Sequence, residues 1–420
     1  MMKMKVVAAI DVGSSKVCTL IGQADDSKET INIIGASSVP SLGVRKGQIV
    51  DIEEAAESII KSVEAAERMA GYSLNRVSIT VGGGHISSQN SHGVVAVAEP
   101  EKEVTPEDID RVIDAAKAIS IPSSREILHV IPISYTVDSQ DGVANPVGMS
   151  GIRLEVKTHI ISGSSTAIKN LTKCVSQTGA EIGGIVFSGV TSAQAVLNVT
   201  EKELGVILVD IGGGTTSVIV LIEGSPCYTT VLPIGAKNIT NDLAIGLRLS
   251  LEGAEKLKIS LSKTEKKESE QDNIELVNLG IYEETKTVSR KTIIEGIIKP
   301  RLNEIFTMVS EEIAKNGFAG LTPSGVVLTG GGALTVGTVE ICRRCLSLPV
   351  RIGIPENVTG LVDDILDPAY SSAIGLLFYS LKEKLYSKTV NVSSFSKVAG
   401  KIPMKGAIEK ISSFIKSFLP

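Results

Sequence analysis

The chain has 420 residues and a formal net charge of −5; 43% of the residues are hydrophobic, 21% are charged and only 3% are aromatic. This composition excludes a disordered chain and provides enough apolar residues for the cores of about two or three domains. Because the chain has neither an excess of basic residues nor many aromatic residues for stacking, nucleic-acid partners are not expected. Because the five cysteines are scattered and no apolar run suits a signal peptide or a spanning helix, we expect a cytoplasmic protein without a disulfide framework.

The first motif along the chain is a β-hairpin signature that occurs twice. Residues 8–22 read AAIDVGSSKVCTLIG, and residues 206–224 read VILVDIGGGTTSVIVLIEG, with Asp11 and Asp210 in matching positions. Each segment predicts an apolar strand, a tight turn of Gly, Ser or Thr, and a second strand. A third glycine turn follows an apolar strand in VVLTGGG, residues 326–332.

The residue types of the two hairpin turns indicate a phosphate site. Small residues let backbone N–H groups approach an anion, and a carboxylate beside phosphates requires a cation, so Asp11 and Asp210 indicate Mg²⁺. One such turn alone is more often an ordinary hairpin, but the duplication favours two hairpins that clamp a nucleotide. The predicted nucleotide-binding residues of the two hairpins are Asp11, Gly13, Ser14, Ser15, Lys16, Asp210, Gly212, Gly213, Gly214, Thr215 and Thr216.

Together, the hairpins and the TGGG turn resemble the actin/Hsp70/sugar-kinase nucleotide-binding fold. Three segments between the hairpins are similar to the FtsA family of actin-like bacterial cell division proteins: VGGGHISSQNSHGVV (81–95), TPEDIDRVIDAAKAISIPSSREILHVIP (105–132) and VDSQDGVANPVGMSGIRLEVKTHII (137–161). This resemblance covers residues 5–382 and the C-terminal tail. It implies an α/β, actin-like two-lobed fold with a family-specific inserted subdomain and a C-terminal amphipathic helix, and it implies ATP and Mg²⁺ as cofactors.

The same resemblance implies interleaved subdomains. The two lobes each have a discontinuous core and an insertion, and a linker and a tail follow them. The first-lobe core comprises 1–83, 164–204 and 364–384, and its insertion is 84–163. The second-lobe core comprises 205–236 and 304–363, and its insertion is 237–303. Residues 385–402, rich in Ser, Lys and Val, predict a flexible linker before the tail 403–420.

Three further features extend the predicted nucleotide site. Gln194 matches the actin glutamine that orients the attacking water, which implies at most a weak actin-type ATPase; a helix-surface glutamine is the alternative. The turn Gly330, Gly331, Gly332 is expected to lie against the adenosine. The segment EGAEKLK (252–258) resembles the family's purine- and ribose-contacting helix, with solvated helix charges as the alternative. Its candidate residues are Glu252, Glu255 and Lys258.

The last segment, PMKGAIEKISSFIKSFLP (403–420), predicts an amphipathic helix. Its apolar residues recur at helical spacing and its lysines lie on the opposite face, which is typical of a helix in a membrane interface. A helix that docks into a protein groove fits the same pattern, but the polar linker and the resemblance favour the membrane. The predicted membrane-contacting residues are Met404, Ile408, Ile411, Phe414, Ile415, Phe418 and Leu419.

We therefore predict an ATP-binding division protein that polymerises, anchors the FtsZ ring to the cytoplasmic face of the membrane at the division site, and recruits later division proteins. The resemblance implies that the FtsZ C-terminal tail binds to 237–303, and that 84–163 contacts other division proteins and neighbouring protomers. The four histidines show no metal-ligand spacing and are expected to be structural. Two alternatives remain: a sugar-kinase-type phosphotransferase, which needs a carboxylate base, and an actin-like pilus assembly adaptor.

Overall fold

The computed structural model describes residues 5–24, 30–98, 103–119, 121–264, 272–282, 287–361 and 365–386. Residues 387–402 of the predicted linker and the whole predicted tail helix 403–420 lie outside them. By its internal contacts the chain up to Ser380 forms one unit, and of the second unit, Leu381–Pro420, only the end of the last helix is described. None of the described helices is both long enough and apolar enough to cross a bilayer.

The first lobe begins with the predicted hairpin. Its elements are β1 (Lys5–Val12), β2 (Lys16–Ala24), β3 (Ile31–Pro40), the short pair β4 (Val44–Arg45) and β5 (Gln48–Ile49), α1 (Ile52–Ala70) and β6 (Arg76–Val81). The side chain of Asp51 caps α1 by accepting from the Glu54 N–H, and Gly71 ends it in the left-handed conformation. The apolar face of α1 is thereby placed over the sheet, where Ile59 and Val63 are buried with Ile10 and Ile21.

A separate small layer follows β6. It contains β7 (Ser87–Ala96), α2 (Pro106–Lys117), β8 (Arg125–Val137), β9 (Gln140–Val143) and β10 (Arg153–Ser164). A capping box between Thr105 and Asp108, with Pro106 in the first turn, starts α2. The strands form a sheet in the order β7-β10-β8-β9, with its own core around Val112, Leu154 and Val156. This core is distinct from those of the two lobes.

The chain then returns to the first lobe and crosses to the second. The return is made by α3 (Ser165–Ser176), β11 (Glu181–Phe187), α4 (Ser188–Val196) and α5 (Val199–Leu204). The second hairpin follows as β12 (Val206–Ile211) and β13 (Thr216–Ile222), with β14 (Ser225–Leu232) after it. Next come α6 (Ala236–Leu247), α7 (Leu251–Thr264), β15 (Asn273–Glu275) and β16 (Thr287–Ser289).

The rest of the described chain completes both lobes. A long helical stretch is made of α8 (Arg290–Ile293), a wider π turn (Ile294–Ile298) and α9 (Lys299–Lys315). It is followed by β17 (Val326–Thr329), α10 (Thr338–Leu346), β18 (Val350–Ile352), β19 (Val358–Gly360) and α11 (Ser371–Tyr386). The core of the second lobe is continuous from the sheet into α6, α7 and α9, with Leu243, Leu257 and Phe306 fully buried.

The two lobe sheets repeat one plan. The first has the order β11-β6-β1-β2-β3-β19, and the second has the order β14-β13-β12-β17-β18. In each, an antiparallel hairpin carries the aspartate, and a parallel strand lies on the other side of the aspartate strand: β6 beside β1, and β17 beside β12. Because parallel neighbours end at the same edge of a sheet, the residues that follow β6 and β17 lie beside the two hairpin turns.

Gly375 lies where α11 contacts α4. A Cβ at this position would lie 1.7 Å from the Thr191 carbonyl oxygen, so one helix must move to admit a side chain. We expect Gly375→Ala to lower the free energy of unfolding by about 2 kcal/mol through overpacking. Urea unfolding followed by circular dichroism measures the change. Gly296→Ala, where a Cβ would meet nothing within 4 Å, is the control, and equal effects of the two substitutions would contradict the prediction.

Candidate functional site

The two hairpin turns face each other in direct contact. Each turn is closed by the same hydrogen bond, from Gly13 N–H to the Lys16 carbonyl at 3.0 Å and from Gly212 N–H to the Thr215 carbonyl at 2.9 Å. A Cβ on Gly213 would lie 1.9 Å from Ser15 Oγ, so glycine allows this close approach without displacing the serine. The structure therefore brings the two predicted phosphate turns together.

Asp11 and Asp210 lie near the ends of β1 and β12, and hydroxyl groups hold both carboxylates. Asp11 Oδ1 accepts a hydrogen bond from Thr80 Oγ1 and another from Ser372 Oγ at 3.2 Å. Asp210 Oδ2 accepts from Ser192 Oγ at 2.6 Å. Burial raises the pKa of Asp210 to about 6, and the Asp11 carboxylate contributes to the rise. The hydrogen bond from Ser192 acts in the opposite direction and lowers the pKa. The two carboxylates are thus close enough to repel each other.

Lys16 brings a positive charge to this pair. Its ammonium lies 3.3 Å from the centre of the Tyr370 ring, a cation–π contact. Burial lowers the pKa of Lys16, while the surrounding acidic groups, Asp11 and Asp210 among them, oppose the shift. The Lys16 ammonium therefore offsets part of the negative charge of the two carboxylates.

The residues present fit Mg²⁺ held together with a phosphate ligand. In the described ranges of the chain, no three His, Cys, Asp or Glu side chains gather into a metal cage. Mg²⁺ does not require one, because it takes one or two carboxylates and completes its shell with phosphate oxygens and water. Asp11 and Asp210, oriented by hydroxyl donors and close enough to repel each other, are the groups that would hold it.

The TGGG turn lies against the second hairpin. Gly330 has a φ of +80°, and a Cβ there would lie 2.3 Å from Asp210 Oδ1, so both its conformation and its surroundings require glycine. Its N–H donates to the Pro368 carbonyl at 3.1 Å. A Cβ on Gly332 would lie 2.4 Å from Ile211 Cγ2. The structure brings this turn to the site; its contact with adenosine stays a prediction.

The three candidates on α7 separate into two groups. Lys258 Nζ donates to Glu255 Oε2 at 2.7 Å and to Thr240 Oγ1 at 2.9 Å, and only 6% of Lys258 is exposed. Glu252 pairs instead with Lys256 on the solvent side of the helix, at 2.7 Å. Glu255 and Lys258 thus form a fixed pair against α6, whereas Glu252 belongs to an ordinary surface ion pair.

Gln194 lies half-buried on α4, two positions after Ser192. Residues two apart on a helix point to different faces, and it is Ser192 that contacts Asp210. No hydrogen bond joins the Gln194 side chain to either hairpin in the described chain, so its catalytic role stays a prediction.

Sequence reasoning missed the hydroxyl residues that hold the carboxylates. One signal was present: Thr80 opens TVGGG (80–84) near the end of β6, much as Thr329 opens TGGG at the end of β17. The two threonines occupy corresponding places, since Thr329 pairs with Asp210 across the sheet and Thr80 donates to Asp11. Ser192 and Ser372 stand in the similar tripeptides TSA and SSA, on helices that approach each other beneath the turns.

The paired sheets and facing hairpins define the class of protein, an actin-like α/β fold. Among solved structures, the PilM–PilN type IV pilus biogenesis complex matches with a TM-score of 0.62 and 16% identity, over 89% of this chain and 98% of that one. MreB 5 of Spiroplasma citri bound to AMPPNP matches with a TM-score of 0.53 and 14% identity, over 91% and 99%. At these identities the likeness establishes the fold, and the predicted actin-like architecture is confirmed.

Sequence comparison identifies the family. The family model described as the SHS2 domain inserted in FtsA matches residues 83–162, and the model described as cell division protein FtsA matches residues 207–375. Cell division protein FtsA of Pseudomonas aeruginosa is 38% identical over 415 residues, or 98% of each chain. The chain therefore belongs to the FtsA family of cell division proteins, as its motifs predicted. This membership favours the predicted division protein over the phosphotransferase and pilus-adaptor alternatives.

Proposed function

We propose that this chain binds ATP with Mg²⁺ between its two hairpins and that it polymerises to anchor the FtsZ ring to the membrane. The main support for the nucleotide site is the direct contact of Gly213 with Ser15. Through this contact the two predicted phosphate turns, each with a carboxylate beside it, lie next to each other. The likeness of the fold to MreB 5 bound to AMPPNP supports the same assignment.

The chain's own residues suit the handling of a triphosphate. Backbone N–H groups and hydroxyls of the turns would hold the phosphate oxygens, and Lys16 would offset part of their charge. Asp11 and Asp210 would hold Mg²⁺, whose positive charge would reduce the repulsion between the phosphates and the carboxylates. Gln194 can hold a water by its amide but is too weak a base to deprotonate it, so hydrolysis is expected to be slow.

The remaining parts of the proposal concern assembly. Residues 403–420 attach the protein to lipid through their apolar face, and lysines on the other face meet anionic headgroups. One short helix binds weakly, so polymerisation would strengthen attachment by presenting many helices at once. Residues 237–303 bind the FtsZ tail, and residues 84–163 contact other division proteins and neighbouring protomers.

Vesicle co-sedimentation tests this proposal. We expect the full-length chain to pellet with vesicles that contain anionic lipid, and Mg-ATP to increase the pelleted fraction. A chain ending at Ile402 should stay in the supernatant under both conditions, because it lacks the apolar face that enters the lipid. If both chains remain unpelleted, the tail is a protein-docking helix and the anchoring role fails. If the pelleted fraction of the full-length chain is the same with and without Mg-ATP, membrane attachment does not depend on the nucleotide site.

A further inference from the structure

Lys237 joins the two hairpins directly. It lies in the first turn of α6, and its backbone N–H donates to the Gly213 carbonyl at 2.8 Å, which ties it to the second hairpin. Its ammonium donates to the Ser14 carbonyl of the first hairpin at 2.7 Å, across 223 positions of sequence. One residue therefore contacts both predicted phosphate turns.

Two charged groups of α7 act on the Lys237 ammonium. Burial lowers the pKa of Lys237, the Glu255 carboxylate opposes this shift, and the Lys258 ammonium adds to it. Lys258 is already bound to Glu255 and to Thr240 and is almost fully buried, so its position is fixed. Lys237, by contrast, is only partly buried, and its long side chain can turn.

We propose that Lys237 is a phosphate-binding residue of this site, and that its ammonium moves from the Ser14 carbonyl to a phosphate oxygen when a nucleotide is bound. This inference rests on the proposed nucleotide function. The ammonium already makes a charge-assisted hydrogen bond to the neutral Ser14 carbonyl. A phosphate oxygen is charged as well, so the exchange replaces this bond by an ion pair. Lys237 belongs to the first turn of α6 in the second lobe. The exchange therefore couples nucleotide binding at the turns to a contact between α6 and the first hairpin.

Isothermal titration of the full-length protein with Mg-ATP, Mg-ADP and adenosine tests the proposal. We expect Lys237→Met to weaken Mg-ATP binding about tenfold and to leave adenosine binding unchanged, because methionine is an unbranched side chain of similar size without the charge. Lys237→Arg should remain within about threefold of wild type. Lys256→Met is the matched control, since that lysine pairs with Glu252 on the solvent side of α7. Thermal unfolding midpoints establish that the variants are folded.

The outcomes separate the two hypotheses. Unchanged Mg-ATP affinity in Lys237→Met overturns the inference and leaves the nucleotide site standing. An equal loss of ATP and adenosine affinity also overturns it, because the lysine then only aligns the lobes. If the wild-type protein binds none of the three probes, the proposed nucleotide function fails, and the inference fails with it. Selective loss of phosphate-dependent affinity, restored by arginine, supports it.

Discussion

Asp210→Asn is expected to weaken Mg-ATP binding about 100-fold at neutral pH, because the neutral amide cannot replace a carboxylate as a ligand of Mg²⁺. The same substitution should stabilise the protein in the absence of nucleotide. Burial beside Asp11 raises the pKa of Asp210 to about 6, so keeping this carboxylate ionised at neutral pH costs folding free energy. One pKa unit corresponds to about 1.4 kcal/mol, and we expect a gain of about 2 kcal/mol.

Two measurements check this prediction. Titration calorimetry with and without EDTA should show that chelation weakens ATP binding by the wild type but hardly affects the variant. Urea unfolding without nucleotide should give a higher free energy of unfolding for Asp210→Asn. Asp141→Asn, at an exposed carboxylate that accepts from Thr136 in the inserted layer, controls for the loss of a charge. Wild-type Mg-ATP affinity in Asp210→Asn would remove this carboxylate from the metal site.

Lowering the pH from about 7 to about 5 is expected to reduce the free energy of unfolding by about 3 kcal/mol, mainly through His129 and His159. Burial lowers the pKa of both imidazoles to about 4. The unfolded chain therefore takes up protons below its ordinary histidine pKa of 6.5, whereas the folded protein does not until about pH 4. Each histidine removes about 2 kcal/mol by pH 5, and protonation of Asp210 returns about 1 kcal/mol, because its pKa is raised instead.

Burial keeps both imidazoles neutral, and for His129 a hydrogen bond adds to the effect. His129 Nε2 accepts from the Phe187 N–H at 2.9 Å, so a proton on that nitrogen would face another donor. His159 lies 2.7 Å from Asn90 Oδ1 through Nδ1 and 2.9 Å from Thr229 Oγ1 through Nε2. The latter contact joins the inserted layer to β14 of the second lobe.

Urea unfolding at the two pH values measures this effect. We expect His159→Gln to reduce the loss of stability between about pH 7 and about pH 5 by about 2 kcal/mol, since one of the two proton-linked groups is gone. The difference between the two pH values is informative even if the variant is less stable overall. His92→Gln, at a partly exposed histidine of the same sheet that pairs with Glu155, controls for losing an imidazole. A free energy of unfolding that does not change with pH would contradict the assignment.

The histidines illustrate what residue patterns can and cannot predict. The sequence indicated that they are structural, because they lack metal-ligand spacing, but it could not name their partners. Phe187 lies 58 positions from His129, and Thr229 lies 70 positions from His159. The same limit applies to α7, where Glu252, Glu255 and Lys258 looked equivalent. Packing separated the surface pair of Glu252 from the pair of Glu255 and Lys258, which lies against α6.

The sequence by itself determined the two hairpins, their aspartates, the glycine turns and the family, because these depend on local strand patterns and on turns that only small residues can form. Tertiary structure alone decided which groups hold the carboxylates and which residue joins the turns. Ser372 reaches Asp11 across 361 positions, and Lys237 reaches Ser14 across 223. Serine and lysine carry no local mark of such a role, since a hydroxyl or an ammonium acquires its partner only when the packing of distant helices and sheets brings the two together.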